Sequence, residues 1–477
     1  MHQEARSTAT TTRHRHPLAA LRAKAGYTHG EYARLIATTH DRLGFGHMAA
    51  RREKVSRWES GRAVPERTAQ LAIAHVHGVP EEDVDRLAWP EWLHLAHGDA
   101  RQLEFPWTPA AVPEAILDAV AARRQTRQGY LMATGWAAMS LAENWVDAMT
   151  EALDWASGGA APRHATSDRE PGSIDAEPGS VLQACTRLRT LNSFAGQFTA
   201  GWLVPASEHE LRYLADHFAS GPPSLARVPS GAGQGLLTLA AESLSLCGFI
   251  ARLQGEHVGA QRYYVAGLRC ATAAGDAEIA AAIMTLHAAQ YLDLRLHGEA
   301  TELLQSARTV LRRSGVRVGD PALPSLIHAQ IARVYAQRGD DVGRRRAIRA
   351  ARNAFVSAPA QEPSTILPLR GDRWLQLLDG VSLLESGRPD QAIKCFDPVL
   401  SDHEPPLTLP PSARSLYLLR AAEAQVALGD AAGSAASVAE ATALLGGVRP
   451  AASTQVRLAL RTYAHLPEVE ALLAAAD

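Results

Sequence analysis

A charged segment between residues 51 and 62 carries the sharpest chemical signal in the sequence. Val55 and Trp58 recur there at the i, i+3 spacing of a helix that buries one face. The charged residues of the segment are Arg51, Arg52, Glu53, Lys54, Arg57, Glu59 and Arg62. Residues 1–78 contain 13 Lys and Arg against 6 Asp and Glu, although the whole chain has a net charge of −2. A basic N-terminal region followed by an acidic remainder of the chain favours contact of that region with a polyanion. The alternative is chance clustering of basic residues on a solvated surface.

Four further helices are predicted around this segment. The first spans 18–25, with Leu18 and Leu21 inward, and ends at Gly26. Thr28 and Glu31 then form a capping box. That box opens a second helix over 31–38, with Tyr32, Ala33 and Ile36 inward. The charged helix covers 50–60 and is closed by Gly61 and Pro65, and two packing helices follow at 67–77 and 81–87.

These residues resemble the helix-turn-helix of the phage-repressor-like (xenobiotic-response-element) regulators over 17–80. The matching residues are Leu21-Arg22, Gly26-Tyr27-Thr28-His29, Tyr32-Ala33, Val55-Ser56-Arg57-Trp58-Glu59, Gly61 and Pro65. The sequence departs from that family in one place, because the 13 residues Thr38–Ala50 stand where the family has a short turn. We interpret this insertion as a longer wing that touches DNA or a partner.

The resemblance implies roles for individual side chains, since a recognition helix enters the major groove with its N-terminal end first. It places base-reading contacts on Arg52, Glu53 and Arg57. It places phosphate contacts on Arg51, Lys54, Arg62, Thr28 and His29. Arg22 and Glu59 match a family pair that bridges helices one and three, so Glu59 is interpreted as structural.

The composition of the 477-residue chain limits its fold class and the kinds of site it can contain. Hydrophobic residues make up 46% and charged residues 21%, and alanine is abundant, so the fold class predicted is all-α. The four cysteines, Cys185, Cys247, Cys270 and Cys395, are far apart and form no CxxC pair. A polar N-terminus and the lack of an apolar stretch of about 18 residues predict a cytoplasmic protein with no membrane contact. No metal-ligand spacing, cofactor loop or nucleophile–base pair stands out, so neither an enzyme nor a cofactor or metal site is predicted.

The second half contains a recurring break with glycine at its centre, which predicts stacked helical hairpins. The breaks contain Gly255, Gly298, Gly339, Gly387 and Gly429. Glycine is expected there because the chain needs a positive φ where one helix ends. The pattern resembles the tetratricopeptide repeat, with Gly248, Ala260 and Tyr264 in one unit and Gly380, Ala392 and Phe396 in another at its small, small and aromatic positions. The Gly298 and Gly339 units depart from this spacing, and an irregular helical bundle is the alternative.

These observations predict a helix-turn-helix head followed by an α-solenoid. The predicted ranges are a disordered tail at 1–16, the DNA-binding domain at 17–95, a linker at 96–112, connecting helices at 113–157, a flexible linker at 158–180 and the repeat domain at 181–477. Trp89-Pro90-Glu91-Trp92-Leu93, Pro106-Trp107-Thr108-Pro109 and Arg124–Leu131 add a resemblance to large actinobacterial regulators. That resemblance implies control of development and secondary metabolism.

Two function classes follow. The first is a sequence-specific regulator that binds double-stranded DNA as a homodimer, with a repeat groove for a peptide or small-molecule effector. Counting from the turn glycines, the predicted groove residues are Glu242, Arg252, Arg295, Arg333 and Trp374, for each of which a solvated surface position is the alternative. The second class is a protein-interaction scaffold whose head does not bind DNA.

Overall fold

In the computed structural model every regular element of the described residues is an α-helix or a short 3₁₀ turn, which confirms the all-α prediction. The described residues are 16–86, 88–90, 92–93, 96, 105–125, 132–156, 178–193, 200–220, 231–315, 322–356, 372–401, 409–446 and 451–474. The chain divides into two compact units, Met1–Glu104 with Gln125–Ala138, and Phe105–Arg124 with Met139–Asp477. We call them the head and the body.

Five short helices build the head. They are α1 (Pro17–Lys24), α2 (His29–Arg42), α3 (Arg52–Glu59), α4 (Arg67–His77) and α5 (Glu81–Arg86). Their apolar faces meet in a single core that includes Leu18, Leu21, Tyr32, Ala33, Ile36, Val55, Trp58, Ala72 and Ile73. Every inward residue predicted for the first three helices is therefore confirmed.

Local signals end and begin these helices as predicted. Gly26 and Gly61 have φ values of 74° and 68°, which glycine adopts without the steric cost of a side chain. Thr28 is the N-cap of α2, and its side chain accepts a hydrogen bond from the backbone N–H of Glu31. The Glu31 side chain accepts from the Thr28 backbone in return, so the predicted capping box is present.

The insertion between the second and third helices differs from its prediction. Helix α2 continues to Arg42, so the first residues of the Thr38–Ala50 insertion are helical. The helix extends because Thr39 and His40 remain on its buried face. Helix α3 begins at Arg52 rather than at residue 50, because the preceding Arg51 has an extended backbone.

Helices continue through the body. Four described helices precede the hairpins: α6 (Val112–Gln125), α7 (Gly135–Ala156), α8 (Pro178–Ser193) and α9 (Ala200–Ser220). The last residue of α6 and the residues of α7 up to Ala138 belong to the head. Five hairpins follow: α10 (Gly231–Leu253) with α11 (His257–Ala274), α12 (Ala277–Asp293) with α13 (His297–Arg313), α14 (Ala322–Gln337) with α15 (Asp341–Val356), α16 (Asp372–Glu385) with α17 (Pro389–Leu400), and α18 (Pro411–Ala427) with α19 (Ala431–Leu444). Helices α20 (Ala451–Leu460) and α21 (Pro467–Ala474) pack on the last hairpin.

The hairpin turns repeat one backbone geometry. Gly255, Gly339, Gly387 and Gly429 have φ values of 77°, 74°, 75° and 83°, which confirms four of the five predicted turn glycines. At the first turn, the N–H of Gly255 donates to the carbonyl of Arg252, and the next N–H donates to the carbonyl of Ala251. The other turns repeat these two bonds, which satisfy carbonyls left open at a helix end.

The second hairpin uses an arginine at the glycine position. Arg295 has a φ of 62°, and its N–H donates to Leu292 while the next N–H donates to Tyr291. Gly298 instead lies inside the first turn of α13. The prediction that Gly298 forms this turn is therefore wrong, because the break lies three residues earlier than the glycine.

Close helix packing explains two other glycines. A Cβ atom at Gly248 would lie 2.9 Å from Cε1 of Tyr264, and one at Gly380 would lie 2.7 Å from Cε1 of Phe396. Both distances are too short for a side chain, so only glycine lets these rings approach the neighbouring helix. The predicted small-and-aromatic pairs of these two units are thus in contact.

Residues just before α6 pack against α11 within the body. The guanidinium of Arg269 donates to the carbonyl of Phe105 at 2.9 Å and lies 4.3 Å from the ring centroid of Trp107. Burial lowers the pKa of Arg269 to about 10. Asp118 of α6 pairs with Arg262 of α11 at 3.2 Å, so two arginines of one helix hold this segment.

Parts of the predicted tail and linkers lie outside the described residues, namely 1–15, 97–104 and 158–177. Within the described residues, one helical segment, Gln234–Leu253, has the length and hydropathy of a membrane span. That segment is 78% buried and forms the first helix of the first hairpin, as expected for a core helix.

Candidate nucleic-acid interface

Helix α3 turns opposite faces to the head core and to solvent. Val55 is fully buried and Trp58 is 7% exposed, which fixes the rotation of the helix about its axis. The exposed face carries the predicted Arg51, Arg52, Glu53, Lys54 and Arg57, together with Ser56, which the sequence prediction omitted. The structure therefore brings the predicted base-reading residues together on one accessible surface.

Arg52 and Glu53 form an ion pair at the start of this surface. Their Nε and Oε1 atoms are 3.0 Å apart, and their side chains are 78% and 67% exposed. Hydrogen bonds from the Glu53 backbone N–H and from Arg52 lower the pKa of Glu53. Such an exposed pair contributes little to stability, so a base or a phosphate can replace one partner at small cost.

The two ends of α3 carry the remaining predicted phosphate ligands. Arg51 precedes the helix in an extended conformation and makes no side-chain capping bond. Arg62 follows the turn at Gly61, and its backbone N–H donates to the carbonyl of Arg57 at 2.9 Å. Both side chains are exposed, so positive charge extends along the whole length of α3.

A bidentate ion pair anchors the C-terminal end of α3. Arg22 of α1 places Nε 2.6 Å from Oε1 of Glu59 and Nη2 3.1 Å from Oε2. The hydrogen bonds to Glu59 raise the pKa of Arg22. Arg22 also donates to the carbonyl of Tyr27 at 2.7 Å, so one guanidinium ties the α1–α2 turn to α3. The predicted bridge between the first and third helices is confirmed.

His29 and Thr28 use their polar atoms inside the head. Nε2 of His29 is 3.0 Å from Oε2 of Glu59, although the His29 side chain is 43% exposed. The Thr28 hydroxyl and backbone N–H both donate to Oε2 of Glu31, at 2.7 and 2.8 Å. These bonds lower the pKa of Glu31. The two residues predicted to meet phosphate thus also fix the start of α2 relative to the end of α3.

His40 holds the loop that leads into α3, and the sequence prediction missed it. Its Nδ1 is 2.8 Å from the carbonyl oxygen of Gly46, and its Nε2 is 3.0 Å from Oγ1 of Thr68 on α4. The His40 ring also packs edge-on against Phe45. The four-residue spacing from Ile36 would have placed His40 on the buried face of α2, had the helix been extended to Arg42.

The five residues predicted to line an effector groove do not all come together, although Trp374 lies near Arg252 and Arg333 through its contact with Tyr417. Glu242 accepts a hydrogen bond from Asn192 of α8 at 3.4 Å. Arg295 is exposed at the α12–α13 turn. Trp374 is 3% exposed and hydrogen-bonds to Tyr417.

Arg252 and Arg333 instead meet at one carboxylate inside the body. Asp293, at the end of α12, lies 2.7 Å from Arg252, 2.8 Å from Arg333 and 3.0 Å from Arg420. We call this group, with Glu385 and Glu423, the inner cluster. The first helix of every hairpin contributes to it, since these residues lie on α10, α12, α14, α16 and α18.

Charges in the inner cluster balance internally. Arg333 is held by Glu385 at 2.6 Å and Arg420 by Glu423 at 3.0 Å, which gives three arginines and three carboxylates. Burial alone would raise the pKa of Asp293, but the three arginines outweigh it and hold that pKa well below its usual range. The side chains of Arg252 and Arg333 are only 5% and 4% exposed, so they serve as structural partners here.

Within the described ranges, no group of three or more His, Cys, Asp or Glu side chains is arranged to hold a metal ion. The two described buried thiols, Cys247 and Cys270, are not disulfide-bonded. Burial raises the pKa of Cys270 to about 12, which keeps it protonated and unreactive at neutral pH.

Comparison with known proteins gave one result. No curated protein and no solved structure matched the chain. Residues 16–87 match the family model described as a helix-turn-helix domain, which covers all five helices of the head. The head is therefore a helix-turn-helix domain, a fold associated with DNA-binding regulators.

Proposed function

We propose that the protein is a sequence-specific, double-stranded-DNA-binding transcriptional regulator of the cytoplasm. One observation carries this proposal: α3 exposes Arg52, Glu53 and Arg57 on a helix whose other face is fixed by Val55 and Trp58. A recognition helix needs both properties, because base contacts discriminate only when the side chains start from a fixed position.

The residues of α3 have different roles in this proposal. Arg57 and Arg52 donate to guanine O6 and N7, and Glu53 accepts from cytosine N4. Lys54, Arg51 and Arg62 neutralise phosphates, with Thr28 and His29 beside the backbone at the start of α2. The head is of the phage-repressor-like type in this proposal, and the α2–α3 loop held by His40 sets the angle at which α3 enters the groove.

The body supplies the regulatory half of the proposal. Its hairpins are tetratricopeptide-like repeats that mediate homodimerisation, so that two heads reach two half-sites about 34 Å apart. A peptide or small-molecule effector acts through the inner face of the repeats. There it exchanges contacts with Arg420 and Glu423, whose side chains are 17% and 29% exposed and are the most accessible pair of the inner cluster.

Binding-site selection from random duplexes tests the proposal. The full-length protein is expected to enrich one sequence, and Arg57→Ala is expected to lose most of the preference for it. Lys54→Ala should weaken binding to all duplexes alike and flatten the salt dependence by about one unit of slope. Arg189→Ala, at an exposed position on α8 of the body, removes the same kind of charge, is the matched control and should bind like the wild type.

Two results would contradict the proposal. The first is the absence of any enriched sequence together with salt-independent binding, which is the behaviour of a scaffold with a silent head. The second is unchanged sequence preference in Arg57→Ala.

A further inference from the structure

The second helix of the third hairpin, with the turn before it, carries an arginine-rich surface. Residues 338–352 contain six arginines and two aspartates, whereas residues 79–477 as a whole have an excess of acidic residues. Five of these arginines are exposed, and only Arg344 is buried, at 5% exposure. We call the exposed set, Arg338, Arg345, Arg346, Arg349 and Arg352, the α15 surface.

Helical geometry aligns these side chains. Helix α15 buries Ala347, Ile348 and Ala351 against α14 and its neighbours, which turns the intervening positions outward. Arg345, Arg349 and Arg352 follow the i, i+4, i+7 spacing of one helix face, and Arg346 lies beside them. From Arg345 to Arg352 the stripe is about 10 Å long, at 1.5 Å of rise per residue.

The nearby carboxylates are too few for these arginines. Asp341 is contacted by Arg344, Arg345 and Arg388, at 3.0–3.1 Å. Asp379 is contacted by Arg344 and by Arg352, at 2.7 and 3.3 Å.

Arg346 and Arg349 form no ion pair with any of the described residues. The two carboxylates therefore already serve several arginines, and the stripe retains guanidinium groups that can bind an external anion.

From this excess of aligned arginines over carboxylates, with Arg346 and Arg349 unpaired among the described residues, we propose that the α15 surface binds the phosphate backbone of duplex DNA, independently of sequence. This inference rests on the proposed function and extends it from the head to the body. Guanidinium groups pair with phosphate through two parallel hydrogen bonds, and a 10 Å stripe matches about three base pairs of rise at 3.4 Å. The contact adds affinity and no discrimination, because phosphates carry no sequence information.

The test is the salt dependence of binding of the full-length protein to a 40-base-pair duplex of random sequence. Arg346→Ala/Arg349→Ala removes two phosphate contacts, so the slope of log K against log salt should become shallower by about 2. Arg346→Lys/Arg349→Lys keeps the charge and should stay close to the wild-type slope. Arg189→Ala/Arg461→Ala removes two exposed arginines elsewhere on the body and is the matched control.

Head and body contributions are separated by repeating the measurement with Arg51→Ala/Lys54→Ala, which removes two of the phosphate contacts proposed for the head. If the proposed function fails, the head variant matches the wild type, while the α15 variant still loses slope. If the present inference fails, the α15 variant binds with the wild-type slope or changes no more than the control pair. Loss of binding to polyglutamate with unchanged DNA binding would also overturn it, because the surface would then serve an acidic protein.

Discussion

The arginines of α3 and the arginines of the inner cluster are the same residue type in opposite settings. In the head, Arg52 and Arg57 are exposed, and Arg52 faces one equally exposed carboxylate. In the body, Arg252 and Arg333 are almost fully buried and share Asp293 with Arg420. The difference lies in the number and burial of the carboxylates, which decide whether a guanidinium is available to a ligand or committed to the fold.

Arginines within the head differ in the same way, since one is bound to a carboxylate of the head and another is exposed. Arg22 behaves like a body arginine, because Glu59 holds it through two hydrogen bonds and places the end of α3. Arg57 is exposed and has no such partner among the described residues. In the proposed function, arginine therefore serves α3 twice, once to fix the position of the helix and once to read a base.

The largest expected effect comes from removing the shared carboxylate of the inner cluster. Asp293→Asn keeps the side-chain shape but leaves three arginines without their common partner. Breaking a buried ion pair costs about 3–5 kcal/mol, so the free energy of unfolding should fall by that amount. Urea unfolding followed by circular dichroism measures it.

Asp216→Asn, at an exposed position on α9, is the matched control for this change and should have almost no effect. Equal stability of the two variants would show that the inner cluster does not hold the hairpins together.

The free energy of unfolding is expected to depend on pH through a buried histidine of α12. His287 is fully buried, and this burial lowers its pKa to about 3. The unfolded chain takes up this proton near pH 6.5 and the folded chain only near pH 3, so stability must fall as the pH drops between these values. The expected slope from this one group is about 1.4 kcal/mol per pH unit.

Urea midpoints between pH 6.5 and 4 for the wild type and His287→Phe check this expectation. The variant should show a flatter pH dependence by about that slope, whatever its stability at neutral pH. His209→Phe, at an exposed position on α9, is the control. Parallel curves for His287→Phe and the wild type would contradict the assignment.

The smallest expected effect lies at the one non-glycine residue among the described residues with a positive φ. Arg295→Gly removes the steric cost of the left-handed backbone but gives the unfolded chain more freedom. The balance should raise the free energy of unfolding by about 0.5–1 kcal/mol. Arg295→Ala keeps a Cβ in the same conformation and should not stabilise the protein. Thermal unfolding compares the two, and destabilisation by the glycine variant would show that the arginine side chain matters more than its backbone.

Much of the head could be predicted because its signals are local. The capping box of Thr28 and Glu31, the helix stops at Gly26 and Gly61, and the inward pair Val55 and Trp58 depend on residues within one or two turns. The continuation of α2 to Arg42 could not be read in the same way. It depends on the contacts of His40 with Gly46 and Thr68, which the fold brings together from different segments.

In the body, too, features set by local sequence could be predicted and features set by distant contacts could not. Hairpin turns were predictable wherever glycine supplies the positive φ, as at Gly255 and Gly387. The turn at Arg295 was not, because a neighbouring glycine at 298 gave a false signal and the true position tolerates a strained residue. The inner cluster was beyond sequence reasoning, since Asp293 and Arg420 are 127 residues apart and meet only when the hairpins have packed together.

The proposed role of the exposed arginine face of α3 is to read DNA bases. Its most direct test is the ratio of affinities for the selected sequence and for a scrambled duplex, measured for the wild type and Arg57→Ala at one salt concentration. Loss of a bidentate base contact worth about 1–3 kcal/mol predicts that this ratio falls by a factor of about 5–150, with an unchanged melting temperature. A ratio equal to that of the wild type would contradict the account.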